Sequence, residues 1–197
     1  PRYVMYGMDE EEQALSDAYR DRLVDELVGV VGEALVALAP ADLEYGHARC
    51  GIGMNRRYPT EGGIRFRQHP DGPVDNEVPV LTAYSEDASG AEGEEGSGET
   101  GDDDPAVVLF GYACHPTCLP NDTTAFSGDW AGRAMALLED HYEGATAIFL
   151  QGCGGDVKAY PQNSRVVSEQ HGQTLANAVR SAVDAPTSAI HGPLRAT

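Results

Sequence analysis

The chain has 197 residues, enough for one domain with a core of its own. It carries 32 acidic residues against 13 basic ones, a net charge of −19, and Lys158 is its one lysine. So acidic a chain excludes nucleic acid and anionic membranes as partners, because both need basic surface. Arginine in place of lysine, amid excess Asp and Glu, points to adaptation to high salt, where counterions screen the self-repulsion. An ordinary acidic protein is the plainer alternative. Cys50, Cys114, Cys118 and Cys153 form no dense disulfide framework. No apolar run of membrane-spanning length and no signal peptide is visible, so no stable membrane insertion is expected. The sequence opens on Pro1, in what reads as the interior of a domain, and a fragment of a larger domain is the expectation.

Residues 8–39 read as one long amphipathic helix. Leu15, Tyr19, Leu23, Leu27, Val31, Leu35 and Leu38 follow helical spacing, the acidic run Asp9–Glu12 suits an N-terminus, and Pro40 ends it. Such a helix is most simply a layer over a sheet. Ala48–Met54 reads as a short strand. Residues 55–75, rich in Gly, Pro and Arg, read mostly as loop. Arg56, Arg57, Arg65 and Arg67 cluster there in an arginine-poor chain, either balancing the acidic surface or meeting a substrate. Val78–Ala83 reads as a strand.

Ser85–Pro105 holds nine acidic residues, five glycines and no basic residue. It has too little apolar surface to fold and reads as an acidic, Gly-rich disordered insertion between neighbouring antiparallel strands. Ser127-Gly128-Asp129-Trp130 opens a helix that runs through about His141 after the next strand, with Ser127 or Asp129 as its cap. A last helix spans Val166–Val183, and Ala189–Leu194 begins another strand. Strands alternating with helices in the second half predict an α/β fold, layered as an αβα sandwich around a mixed β-sheet.

Two strand exits carry the chemistry. The apolar run from Val107 ends in Ala113-Cys114-His115-Pro116-Thr117, and Pro116 cannot continue a ladder. Ala147-Ile148-Phe149-Leu150 leads into Gln151-Gly152-Cys153-Gly154-Gly155-Asp156-Val157. Open α/β sheets bind ligands beyond the carboxyl ends of their strands, so the two exits predict one shared cleft. The bland reading is a hydrogen-bonded structural histidine and a tight glycine turn. Cys114 neighbours His115 and should face the other way, as buried structure. Cys118 is undecided. Cys153 is either a thiol nucleophile or a small core residue.

Five segments in order carry a resemblance: Asn55-Arg56-Arg57, Asp71-Gly72-Pro73-Val74-Asp75, Ala113-Cys114-His115-Pro116-Thr117, Ser127-Gly128-Asp129-Trp130 and Gln151-Gly152-x-Gly154-Gly155-Asp156-Val157. From about Leu43 onward the chain resembles the neutral/alkaline ceramidase-like family. The resemblance implies that residues 1–197 are part of one ceramidase-like catalytic domain. It implies a zinc (Zn2+)-dependent amidase acting on a small-molecule or lipid amide such as ceramide. His115 would be a zinc ligand. The family's other zinc ligands would lie in a histidine motif before Pro1 and in a glutamate and a tyrosine beyond Thr197. Arg56 would handle substrate or the developing oxyanion, Asp156 would orient or deprotonate the attacking water, and Asn55, Gly154 and Gly155 would line the substrate site. Lys158 stands where characterised ceramidases carry a serine proposed to act in catalysis. A catalytically silent binding or structural domain on the same fold is the alternative.

Overall fold

The computed structural model describes residues 7–85 and 104–192. The chain divides into two compact units, residues 1–40 and residues 41–197. The first holds α1, Glu10–Val36. Asp9 caps it by accepting from the amides of Glu11 and Glu12, while the Glu12 carboxylate takes the Asp9 amide in return. No residue of α1 is buried. Its apolar positions recur mostly every four residues, and at about 100° per residue each step drifts by about 40°. The stripe therefore winds around the helix, and Val24, Val28 and Val30 add apolar surface elsewhere.

The second unit is built on two sheets. β1 (Ala41–Arg49), β4 (Glu77–Ser85), β5 (Val107–Tyr112), β6 (Thr146–Gln151) and β8 (Ser188–Ala189) form one, in the order β6-β5-β4-β1-β8. β5 and β6 are parallel and the other pairs antiparallel, so the sheet is mixed as expected. A parallel pair needs a crossover, and α2 (Asp129–Glu139) supplies it. The second sheet is antiparallel and joins β2 (Gly53–Thr60), β3 (Gly63–His69) and β7 (Val157–Ala159) in the order β3-β2-β7.

Strand alternation makes the core. Val78, Val80 and Thr82 on β4, and Val108, Phe110 and Tyr112 on β5, are buried on one face. Trp130, Ala134 and Leu138 of α2, and Leu175, Val179 and Ala182 of α3 (Arg165–Val183), complete that core. Trp130 stands edge-on to both Tyr112 and Phe149. The alternate positions Pro79, Leu81, Leu109, Gly111 and Leu150 line an apolar groove on the other face.

Four expectations need correction. Ala48–Met54 is not one strand: β1 ends at Arg49, β2 starts at Gly53, and Cys50–Ile52 carry the chain from one sheet to the other. Residues 55–75 are not mostly loop, because β2 and β3 form a hairpin closed at Thr60↔Gly63, with Gly63 at φ 101°. β3 is exposed on both faces from Gly63 to Gln68, although Ile64 and Phe66 alternate with Arg65 and Arg67 along it. The N-cap of α2 is Gly128, with no side-chain cap. The strand expected at Ala189–Leu194 is short, Ser188–Ala189, and lies against β1. β4 and β5 are antiparallel neighbours, as the flanks of the acidic insertion required. Residues 86–103 of that insertion lie outside the described residues.

Candidate active site

His115 sits three residues beyond β5 and forms a parallel bridge with Lys158 of β7. Its amide donates to the Val157 carbonyl at 3.1 Å. Its ring Nδ1 lies 2.7 Å from the Gly154 carbonyl and 3.2 Å from that of Val157. Carbonyls only accept, so this assigns the ring proton to Nδ1 and leaves the lone pair on Nε2. Nε2 meets Arg56 Nη2 at 3.2 Å. The same Nη2 donates to the Gly155 carbonyl at 3.1 Å. The two strand exits thus build one cluster: the glycine turn orients the imidazole and holds the guanidinium against it.

Gly154 is required by packing. A Cβ there would lie 2.5 Å from the Cys114 nitrogen, closer than any side chain tolerates. The turn therefore presses on the segment that carries His115. Gly155 is open to solvent and offers its carbonyl.

Arg56 reaches the cluster because β2 bulges between Asn55 and Arg57. Its amide donates to the Asp156 carbonyl at 2.7 Å. Its guanidinium carbon lies 5.4 Å from the Phe66 ring centroid, and its Nε is buried with no hydrogen-bond partner. Asn55 is buried and fully engaged. Its amide nitrogen donates to the Pro73 carbonyl at 2.8 Å and to Asp156 Oδ2 at 2.9 Å, and its oxygen accepts from the Arg57 amide. The geometry makes Asn55 the holder of Asp156. Arg57 stacks on Phe66 and Arg67 on Tyr58, so these cations meet aromatic rings.

The cysteines separate cleanly. Cys114 is buried, and desolvation with the neighbouring Cys50 pushes its thiol up to about 12. Burial and the nearby Asp129 carboxylate also raise Cys118, whose Sγ points at the Pro161 carbonyl. Neither is a thiolate near neutral pH, so both are poor nucleophiles there. Cys153 is exposed.

As to zinc, an imidazole with Nδ1 oriented by a carbonyl and Nε2 left basic is how histidine ligands are commonly prepared. Among the described residues no three His, Cys, Asp or Glu side chains stand close enough to hold a metal ion. These residues fit a single ligand, His115, and not a complete site.

Two residues of the Ser-Gly-Asp-Trp segment gain a role that sequence reasoning missed. Asp129 has φ 51°, and its buried carboxylate accepts from the Cys118, Leu119 and Trp130 amides and from the Ser168 hydroxyl. Trp130 Nε1 donates to the His115 carbonyl at 3.3 Å. The signal available was a Gly-Asp pair before a helix, which reads only as a cap.

No family model matches the chain, and no curated protein matches it. Solved structures do. The neutral ceramidase of Pseudomonas aeruginosa superposes with a TM-score of 0.59 at 20% identity, over 83% of this chain and 26% of that one. A ceramidase complexed with C2 superposes with a TM-score of 0.55 at 20% identity, over 76% of this chain and 23% of that one. The chain has a ceramidase-like fold. It spans about a quarter of the length of these neighbours. Among its described residues no helix is long and apolar enough to cross a membrane.

Proposed function

We propose that this chain carries part of the active site of a zinc-dependent hydrolase that cleaves the N-acyl bond of a lipid amide of ceramide type. One observation carries the reading: Arg56 and His115, 59 residues apart, meet at 3.2 Å over a turn that binds both. The fold likeness to ceramidases supports it. Zinc, when bound, would polarise the amide carbonyl and acidify water. His115 would supply one ligand through Nε2. Arg56 would then turn its guanidinium from the imidazole to the amide oxygen, where charge develops during attack. Asp156, held by Asn55, would orient the attacking water or take its proton. Gly154 and Gly155 would shape the wall on which the acyl group lies.

A second reading has one observation in its favour. Lys158 of β7 occupies the position at which the family resemblance places a serine, and its backbone pairs with that of His115. A silent domain that binds lipid amides and does not cleave them would carry such a change.

The test is hydrolysis of a fluorogenic short-chain N-acylsphingosine, with and without added zinc, by the whole protein that carries this chain with its flanking sequence, as wild type and as His115→Ala, Arg56→Ala and Cys153→Ser. Activity that drops about 100-fold or more in the first two variants and persists in the third supports the hydrolase. Loss in Cys153→Ser alone would transfer the chemistry to the thiol. Wild-type binding of the lipid without turnover would favour the silent domain.

A further inference from the structure

The geometry points to Asp129 as the residue that positions His115. This rests on His115 working in the hydrolase proposed above, and it assigns the task of holding the imidazole to a carboxylate that never touches substrate.

The segment after β5 has no sheet partner beyond the His115 bridge, so something else must fix it. Asp129 does so by two routes. Its Oδ2 accepts from the Cys118 amide at 2.5 Å and from the Leu119 amide at 3.0 Å, gripping the chain three and four residues beyond His115. Its Oδ1 accepts from the Trp130 amide at 2.7 Å, and the Trp130 indole reaches the His115 carbonyl. The Ser168 hydroxyl fills the remaining site on Oδ1 and ties the carboxylate to α3. The Cys118 carbonyl accepts from the Asn163 amide at 2.7 Å, so the gripped residue is clamped on both sides.

A left-handed backbone is uncommon outside glycine, and Asp tolerates it better than most residues. At φ 51° the carboxylate is brought within reach of both the preceding loop and the residue that follows it. Four donors on one buried carboxylate leave it no hydrogen-bonding capacity for a ligand. Its role is therefore positioning.

The variant of choice is Asp129→Gly, because glycine adopts φ 51° freely and the backbone need not move when the carboxylate is removed. Ser168→Ala is the control, removing one donor from the same carboxylate and leaving both routes to His115. In the full chain labelled at histidine, the His115 ring nitrogen resonances should move in Asp129→Gly at fixed pH and stay in place in Ser168→Ala. Amide exchange at Cys118 and Leu119 should speed up by about tenfold or more in the first variant only. If the wild-type chain hydrolyses N-acyl substrates, Asp129→Gly should lower kcat with KM nearly unchanged. If Asp129→Gly does not fold, Asp129→Asn and Trp130→Phe should each shift the His115 ring signals. Unmoved His115 signals in folded Asp129 variants would overturn the assignment, and so would an equal shift in Ser168→Ala. A wild-type protein assayed with its flanking sequence that shows no hydrolase activity, while the His115 signals still respond, would refute the hydrolase and leave the positioning intact.

Discussion

The Tyr112 hydroxyl donates to the Cys50 carbonyl at 2.8 Å, tying the last residue of β5 to the crossing between the two sheets. The same oxygen accepts from the Gly53 amide at 3.0 Å. One buried phenol therefore satisfies both backbone groups where β1 gives way to β2, two residues before Asn55.

Tyr112→Phe should leave those two groups unpaired in a buried setting, costing about 1–3 kcal/mol. The expected result is a lower midpoint in urea with an unchanged slope. Weaker Arg56–His115 contact should accompany it, read as a shift of the His115 ring signals. An unchanged midpoint would mean that water reaches both groups.

Much of the architecture was legible. β5, β6 and α3 announce themselves through apolar runs and helical periodicity, and the meeting of the two strand exits follows from the fold class. The β2–β3 hairpin was missed although Ile64 and Phe66 alternate with Arg65 and Arg67, because that run is short and set among Gly, Pro and Arg that read as loop. Asp129 was missed for a different reason. A residue that looks like a helix cap is here a hub for three segments, and only tertiary structure brings Cys118 and Ser168 to it.

Alkaline pH should destabilise the protein. Cys114 is raised from 9.0 to about 12, and Cys50, Cys118 and Tyr112 are also raised, each chiefly by desolvation. Above about pH 9 the unfolded chain releases thiol protons that the folded chain keeps, so stability falls as pH rises. Cys114 alone would cost roughly 4 kcal/mol by about pH 12. Urea midpoints should be flat from pH 7 to 8.5 and decline beyond. In the same range iodoacetamide should modify Cys153 first and Cys114 only on unfolding. Rapid modification of Cys114 at neutral pH would contradict its burial.

Thermal stability should rise with KCl. Among the described residues three of the four ion pairs lie within α1, and the fourth, Arg49–Glu77, is exposed. The remaining acidic surface has few cations to offset it. The Debye length is about 30 Å at 0.01 M salt and about 3 Å at 1 M, so repulsion across the whole domain fades over this range. A melting temperature that is flat or falls with salt would remove the high-salt reading.

Deleting residues 87–103 should preserve the fold. The flanks are already joined: Ala83 pairs with Val107, and the Ala106 amide donates to the Ala83 carbonyl at 2.8 Å. Shortening the connection changes loop entropy by only about 1 kcal/mol. The melting temperature should stay within a few degrees and its salt dependence should decrease in part. A cooperative transition that disappears would show that the segment contributes to the fold.

The strand order has a consequence for how the protein is made. β1 lies between β4 and β8, and β2 lies between β3 and β7, so strands from the two ends of the chain interleave. When the ribosome has released the chain only as far as Ser85, β1 and β4 can pair and β2 and β3 can form their hairpin, but neither sheet is complete. The apolar face of β4 then has no α2 or α3 to cover it. Closure waits for β7, α3 and β8, which follow later in the chain. Pairings so distant in sequence form slowly, and a nascent segment with bare strands is a natural client for chaperones.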